Sequence, residues 1–136
     1  MGININDLRL MSEEHPNIYI EEKAFREMDA IIKRSGMRDR FQGLLRKRLN
    51  FLCEYGRKCT LKSDMFELLK EGHELYSMKF KGFRLNIRLL FKFYDLGNGE
   101  VSIIVCSFIE RNTADYRRAM EAAERRFQAI LADGKE

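Results

Sequence analysis

Between positions 85 and 93 apolar residues recur at every second place, as Leu85, Ile87, Leu89, Phe91 and Phe93, with Arg84, Asn86, Arg88, Leu90, Lys92 and Tyr94 alternating against them. Side chains of a strand point alternately to its two faces, so this spacing predicts a β-strand with one apolar and one basic face. Segment 75–81 divides in the same way, with Tyr76, Met78 and Phe80 set against Leu75, Ser77, Lys79 and Lys81. The run Asp95-Leu-Gly-Asn-Gly99 predicts a hairpin, because three of its positions tolerate positive φ. It returns the chain into 101–109, which is apolar on both faces, as a central strand between two layers requires.

Elsewhere the period is helical. Phe25, Met28 and Ile32 predict an amphipathic helix over 21–35, ended by Ser35-Gly36. Phe41, Leu44, Leu45, Leu49 and Leu52 predict a second from Met37 to about Tyr55, with Gly56 placed to stop it. So short a connection makes the two an αα-hairpin. Before them, Asn17 to Ile20 reads as a short first strand, and after them Ser63, with Asp64 and Glu67 in the first turn, reads as the N-cap of a short helix closed by Gly72. A last helix begins near Asn112 or Thr113 and carries Ala119, Met120, Ala123, Phe127 and Ile130 along one stripe. The expected fold class is α+β: an N-terminal helical hairpin packed on a small, mostly antiparallel sheet, with a C-terminal helix.

A chain of 136 residues without repeats, Pro/Gly/Ser-rich linkers or a break in composition is expected to form one domain around one core. Its net charge of +4 is modest, so location matters more than sum. From Leu75 to Tyr94 there are five cations, Lys79, Lys81, Arg84, Arg88 and Lys92, and no acid. Cys53, Cys59 and Cys106, with His15 and His73 distant from them, form neither a disulfide framework nor a zinc pattern, and free thiols point to a reducing cytosol. No leader pattern and no window of about eighteen apolar residues is present, so neither secretion nor a membrane partner is expected. No glycine-rich phosphate loop follows a strand and no carboxylates cluster with His or Cys at ligand spacing, so no cofactor and no metal is expected.

The segments Leu75-Tyr-Ser-Met-Lys-Phe-Lys81, Asn86-Ile-Arg-Leu-Leu-Phe91 and Val105-Cys-Ser-Phe-Ile-Glu-Arg-Asn-Thr113, followed by the helix through Ala119 to Arg126, resemble the RelE/ParE toxin superfamily in its HigB-like, phage-associated branch. The resemblance covers roughly 17–132 and leaves 1–16 as an extension outside it. It implies a cytoplasmic, metal-independent endoribonuclease toxin that cleaves mRNA, on the ribosome or free. It further implies neutralisation by a cognate antitoxin, with which the chain would form a hetero-oligomer.

Cleavage of RNA without metal has the 2′-OH attack the adjacent phosphorus, which requires a base, cations on the developing phosphorane and an acid on the leaving oxygen. With neither histidine on the basic face, Lys, Arg and Tyr must serve. Arg88 aligns with the family's strand arginine and has a fork suited to phosphate. Lys79 and Lys81 would clamp the backbone, one of them as base; a plain solvated face is the alternative for each. The resemblance adds Arg111, at the end of the third strand, and Tyr116, at the start of the last helix, to the catalytic set. Arg84, Lys92 and Tyr94 on the basic face, with Arg46 and Lys47 on the second helix, are the candidate RNA-binding residues. The chain departs from the family pattern at Glu110-Arg111, where two lysines are usual; Glu110 is either a general base or an obstacle to phosphate. A ParE-like inhibitor of DNA gyrase and a non-catalytic nucleic-acid-binding protein on the same fold are the competing readings.

Overall fold

A computed structural model describes residue 3 and residues 5–69, 74–80 and 85–133. Two strands open the chain, β1 (Arg9–Ser12) and β2 (His15–Ile20), and helices α1 (Glu22–Ser35) and α2 (Arg38–Tyr55) follow. After a 3-10 turn, Gly56–Leu61, come β3 (Phe66–Leu69), β4 (Leu75–Phe80), β5 (Ile87–Asp95), β6 (Glu100–Ile109) and α3 (Thr113–Asp133). The class is α+β. The helical hairpin does not lead the chain, however, because β1 and β2 precede it and form one side of the sheet. Residues before position 17, expected as an extension, therefore supply β1 and the start of β2.

The six strands lie in the order β1-β2-β6-β5-β4-β3, antiparallel throughout except where β2 runs parallel to β6. The α1–α2 hairpin carries the chain from β2 across to β3 at the far edge, and β3 to β6 return it strand by strand to lie parallel beside β2. In the β5–β6 turn the Asp95 carboxylate accepts from the Gly97 amide at 2.7 Å, and Gly97 takes φ 94°, which a side chain would disfavour.

Two cores result. Ile18, Ile20, Met78, Phe80, Ile87, Leu89, Phe91 and Ile104 bury one sheet face under Ala24, Met28, Ile31 and Ile32 of α1 and Phe41, Leu49 and Leu52 of α2. Leu75, Leu90, Val101, Ile103, Val105 and Cys106 bury the other under Ala119, Ala123 and Phe127 of α3. The alternation read in 75–80 and 85–94 is thus the division between these cores. A bulge opposite Leu90 and Phe91 lets Val105 and Cys106 both face α3.

The helix expected from Ser63 does not form over the described residues 63–69, and its expected stop at Gly72 lies outside them. Residues 66–69 form β3, paired with β4 from Phe66↔Met78 to Leu69↔Leu75, so the edge of β4 outweighs a local capping signal. The three strands expected over 75–81, 85–93 and 101–109 are accordingly joined by a fourth at the edge.

No helix among the described residues is long and apolar enough to cross a membrane.

Candidate functional site

Register brings the basic side chains together. Lys79 on β4 stands opposite Arg88 on β5, and Arg88 stands opposite Phe108 on β6, so the three form a row on the face toward α3. The neighbouring row is Glu67, Ser77, Leu90 and Cys106. Across this end of the sheet lies the first turn of α3. That turn is fixed by a reciprocal capping box, in which the Asn112 side chain accepts from the Asp115 amide at 3.0 Å and the Asp115 carboxylate accepts from the Asn112 amide at 3.3 Å. The Arg111 amide also donates to Asp115 at 2.8 Å, and with the nearby Arg118 these bonds hold the Asp115 carboxyl below its ordinary range.

The cap aims Tyr116 across the sheet. Its ring meets Phe108 edge-on at 5.1 Å and its hydroxyl hydrogen-bonds Ser77 Oγ at 2.8 Å. Burial pushes the Tyr116 phenol pKa up, against the Ser77 hydrogen bond and the Arg88 charge, so the group keeps its proton at neutral pH. Arg88 Nη2 lies 3.2 Å from Glu110 Oε1, and Arg88 Nη1 donates to the Ile87 carbonyl at 3.2 Å. Arg88 Nε is buried with no hydrogen-bond partner among the described residues. Lys79 Nζ is 4.0 Å from Glu67. Arg88 is 11% exposed and Glu110 29%, so the carboxylate is the more accessible half of their pair.

Beneath this cluster Arg48 of α2, itself buried, donates from Nε to the Lys79 carbonyl at 2.6 Å and lies over the Phe80 ring at 4.8 Å. It caps a strand carbonyl beyond the end of β3, and it lies apart from the exposed basic surface of α2. Burial lowers its pKa from the ordinary arginine value.

No family model matches the chain, and no curated protein or solved structure matches it. The site therefore rests on its own geometry.

Lys79, Arg88 and Tyr116 of the expected catalytic set converge; Arg111 is exposed on the turn before α3 and lines the space between α1 and α3. Lys81 and Arg84 lie outside the described residues. Lys92 is bound to Glu124 at 3.1 Å and lies over Phe127, and Tyr94 also packs on Phe127, so both sit under α3. Arg46 and Lys47 are exposed on α2, on the opposite side of the sheet from Arg88. Ser77 and Glu67 were not singled out from sequence. Ser77 shares the alternation of Lys79, whereas Glu67 required the β3 pairing.

Among the described residues no group of three or more His, Cys, Asp or Glu is placed to hold a metal. Cys59 and Cys106 are buried, which pushes both thiols up to about 12. His15 is buried with Nε2 2.7 Å from Asn50 Oδ1 and stands on β2, away from the cluster.

Proposed function

We propose that the protein is a metal-independent endoribonuclease toxin of the RelE/ParE kind, acting on mRNA in the cytoplasm and held in check by an antitoxin partner. The observation that supports this reading is the meeting of a carboxylate, a guanidinium and a protonated phenol, Glu110, Arg88 and Tyr116, at one end of the sheet beside Lys79. In this reading Glu110, the more accessible partner, takes the proton of the RNA 2′-OH as that oxygen bonds to phosphorus. Arg88, released from Glu110, and Lys79 meet the negative charge of the phosphorane. Tyr116 gives its proton to the departing 5′-oxygen as the phosphorus–oxygen bond breaks, and the products are a 2′,3′-cyclic phosphate and a 5′-hydroxyl. Phe108 offers a ring against which a base can stack.

The pairing of Arg88 with Glu110 favours a second reading, in which the guanidinium is neutralised and the protein binds RNA without cutting it. One experiment separates the two. Purified protein is incubated with RNA in the presence of EDTA, cleavage ends are mapped, and binding of a 2′-O-methyl oligonucleotide is measured in parallel. The nuclease reading expects cyclic-phosphate ends from the wild type and, for Glu110→Gln, loss of cleavage by about 10²-fold or more with binding retained or strengthened. Wild-type protein that binds but does not cleave supports the second reading. Cleavage that stops on chelation and returns with a divalent ion overturns the mechanism, and cleavage by Glu110→Gln at the wild-type rate removes Glu110 from it.

A further inference from the structure

β2 pairs with β6 only as far as Ile20↔Ile104, because the chain then turns into α1. Beyond that point α1 and α3 flank β6 where a strand would otherwise lie, and between them is an open groove of about 440 Å³ with Ser107, Phe108 and Ile109 along its floor. Glu27, which lines the groove, is held by Arg126 in a two-bonded ion pair, 2.8 Å at each contact. Arg34 of α1, Arg111 and Arg118 line the groove. Arg118 is engaged by Asp115 at 2.6 Å but is 68% exposed, while Arg34 and Arg111 are exposed with no carboxylate on their guanidinium groups among the described residues.

We infer that this groove holds the single-stranded RNA flanking the cleavage site, with Arg34 and Arg111 as phosphate ligands. The inference rests on the ribonuclease reading above and extends it. Two observations select this occupant. The groove is continuous with the candidate site, since Phe108 stands in register beside Arg88 and Arg111 directly follows Glu110. Its uncommitted side chains are guanidiniums that flank the groove, which suits a polyanion running through it. Ala30 and Phe108 supply apolar surface for the bases. The surface so defined differs from the basic strand face and α2 surface apparent in sequence, because α1 and α3 meet only in the folded chain.

The test is the salt dependence of binding, by fluorescence anisotropy with a 2′-O-methyl hexanucleotide that cannot be cleaved. Each phosphate contact to a single strand contributes roughly 0.7 to the slope of log K against log salt, so Arg34→Ala/Arg111→Ala is expected to lower the slope by about 1.4. Binding of a dinucleotide, too short to reach both arginines, is expected to lose much less. Arg125→Ala, an exposed cation on α3 outside the groove, serves as the comparison for overall charge. An unchanged slope in the double variant, with its circular dichroism and melting intact, overturns the proposal, as does an equal fall for Arg125→Ala. Should the double variant be unstable, Arg34→Gln and Arg111→Gln read singly are each expected to remove about 0.7. Tighter binding of polyglutamate than of the oligonucleotide at equal charge makes the groove a protein-docking surface and also overturns it. Because the probe is not cleaved, absence of nuclease activity with the expected slopes would defeat the ribonuclease reading alone.

Discussion

Glu27→Ala removes a single carboxylate that supports both the open edge of β6 and the C-terminal half of α3. In the native chain Glu27 accepts from the Ser107 amide at 3.0 Å and from both terminal nitrogens of Arg126 at 2.8 Å, while Arg126 also donates to the Val105 carbonyl at 3.0 Å. Hydrogen bonding to Glu27 raises the Arg126 pKa against the opposing effect of burial. After the substitution the Ser107 amide loses its acceptor, costing about 1 kcal/mol, and the Arg126 guanidinium loses its counter-ion, costing about 1.5 kcal/mol. The second figure is set low because Glu27 is 34% exposed and Arg126 keeps its bond to Val105, so water replaces part of what is lost. With an unfolding entropy of about 0.29 kcal/mol/K for 136 residues, a loss of about 2.5 kcal/mol lowers Tm by roughly 9 °C. Glu27→Gln keeps an acceptor for Ser107 and is expected to lower Tm by roughly 4 °C. Thermal unfolding by circular dichroism measures both, and amide exchange at Ser107 reports the local event. A Glu27→Ala protein melting within about 2 °C of wild type, or a Ser107 amide as protected as before, would refute the reasoning.

Tyr116→Phe loses the Ser77 hydrogen bond at a cost of about 1 kcal/mol and is expected to reduce RNA cleavage by about 10²-fold or more, read by initial rates on a labelled oligonucleotide. Cys59 and Cys106, whose thiols are pushed up to about 12 by burial, are expected to resist a chromogenic thiol reagent at pH 8 in the folded protein, while Cys53, half-buried, reacts first; one rapid and two slow equivalents, becoming three rapid ones in denaturant, is the expected count. The Asp115 carboxyl is held below its ordinary 3.8, so its stabilisation of the α3 start is present above that value and lost as pH falls through the lowered pKa. Amide exchange in residues 113–117 across pH 2–5 is expected to show loss of protection only at and below about pH 4, and Asp115→Asn is expected to flatten that profile.

Periodicity made α1, α2, β4, β5, β6 and α3 legible in the chain, because each of them buries a face and the spacing of its apolar residues records which. It also separated Tyr76, Met78, Phe80, Leu85, Ile87, Leu89, Phe91 and Phe93 from Arg88 and Lys92 correctly. It did not record that the basic face would lie under a helix. Lys92 has Glu124, 32 residues away, as its partner, and Arg88 has Glu110, so charges that read as free along one segment are matched by acids on another element. Nor did sequence reveal β3: Ser63, Asp64 and Glu67 carry a helix-start pattern, but pairing of Leu68 with Tyr76 and of Phe66 with Met78 decides the backbone.

By itself the sequence determined the class of fold, most of its elements, the start of α3 to within Asn112 or Thr113 and the acid-free basic hairpin, all of which depend on residues within a few places of one another. Tertiary structure alone decided the parallel pairing of β2 with β6, the row Lys79–Arg88–Phe108, the reach of Tyr116 to Ser77 and the groove between α1 and α3. Each of these joins residues far apart in the chain, and strand register, which a shift of one residue would reverse from face to face, sets whether they meet.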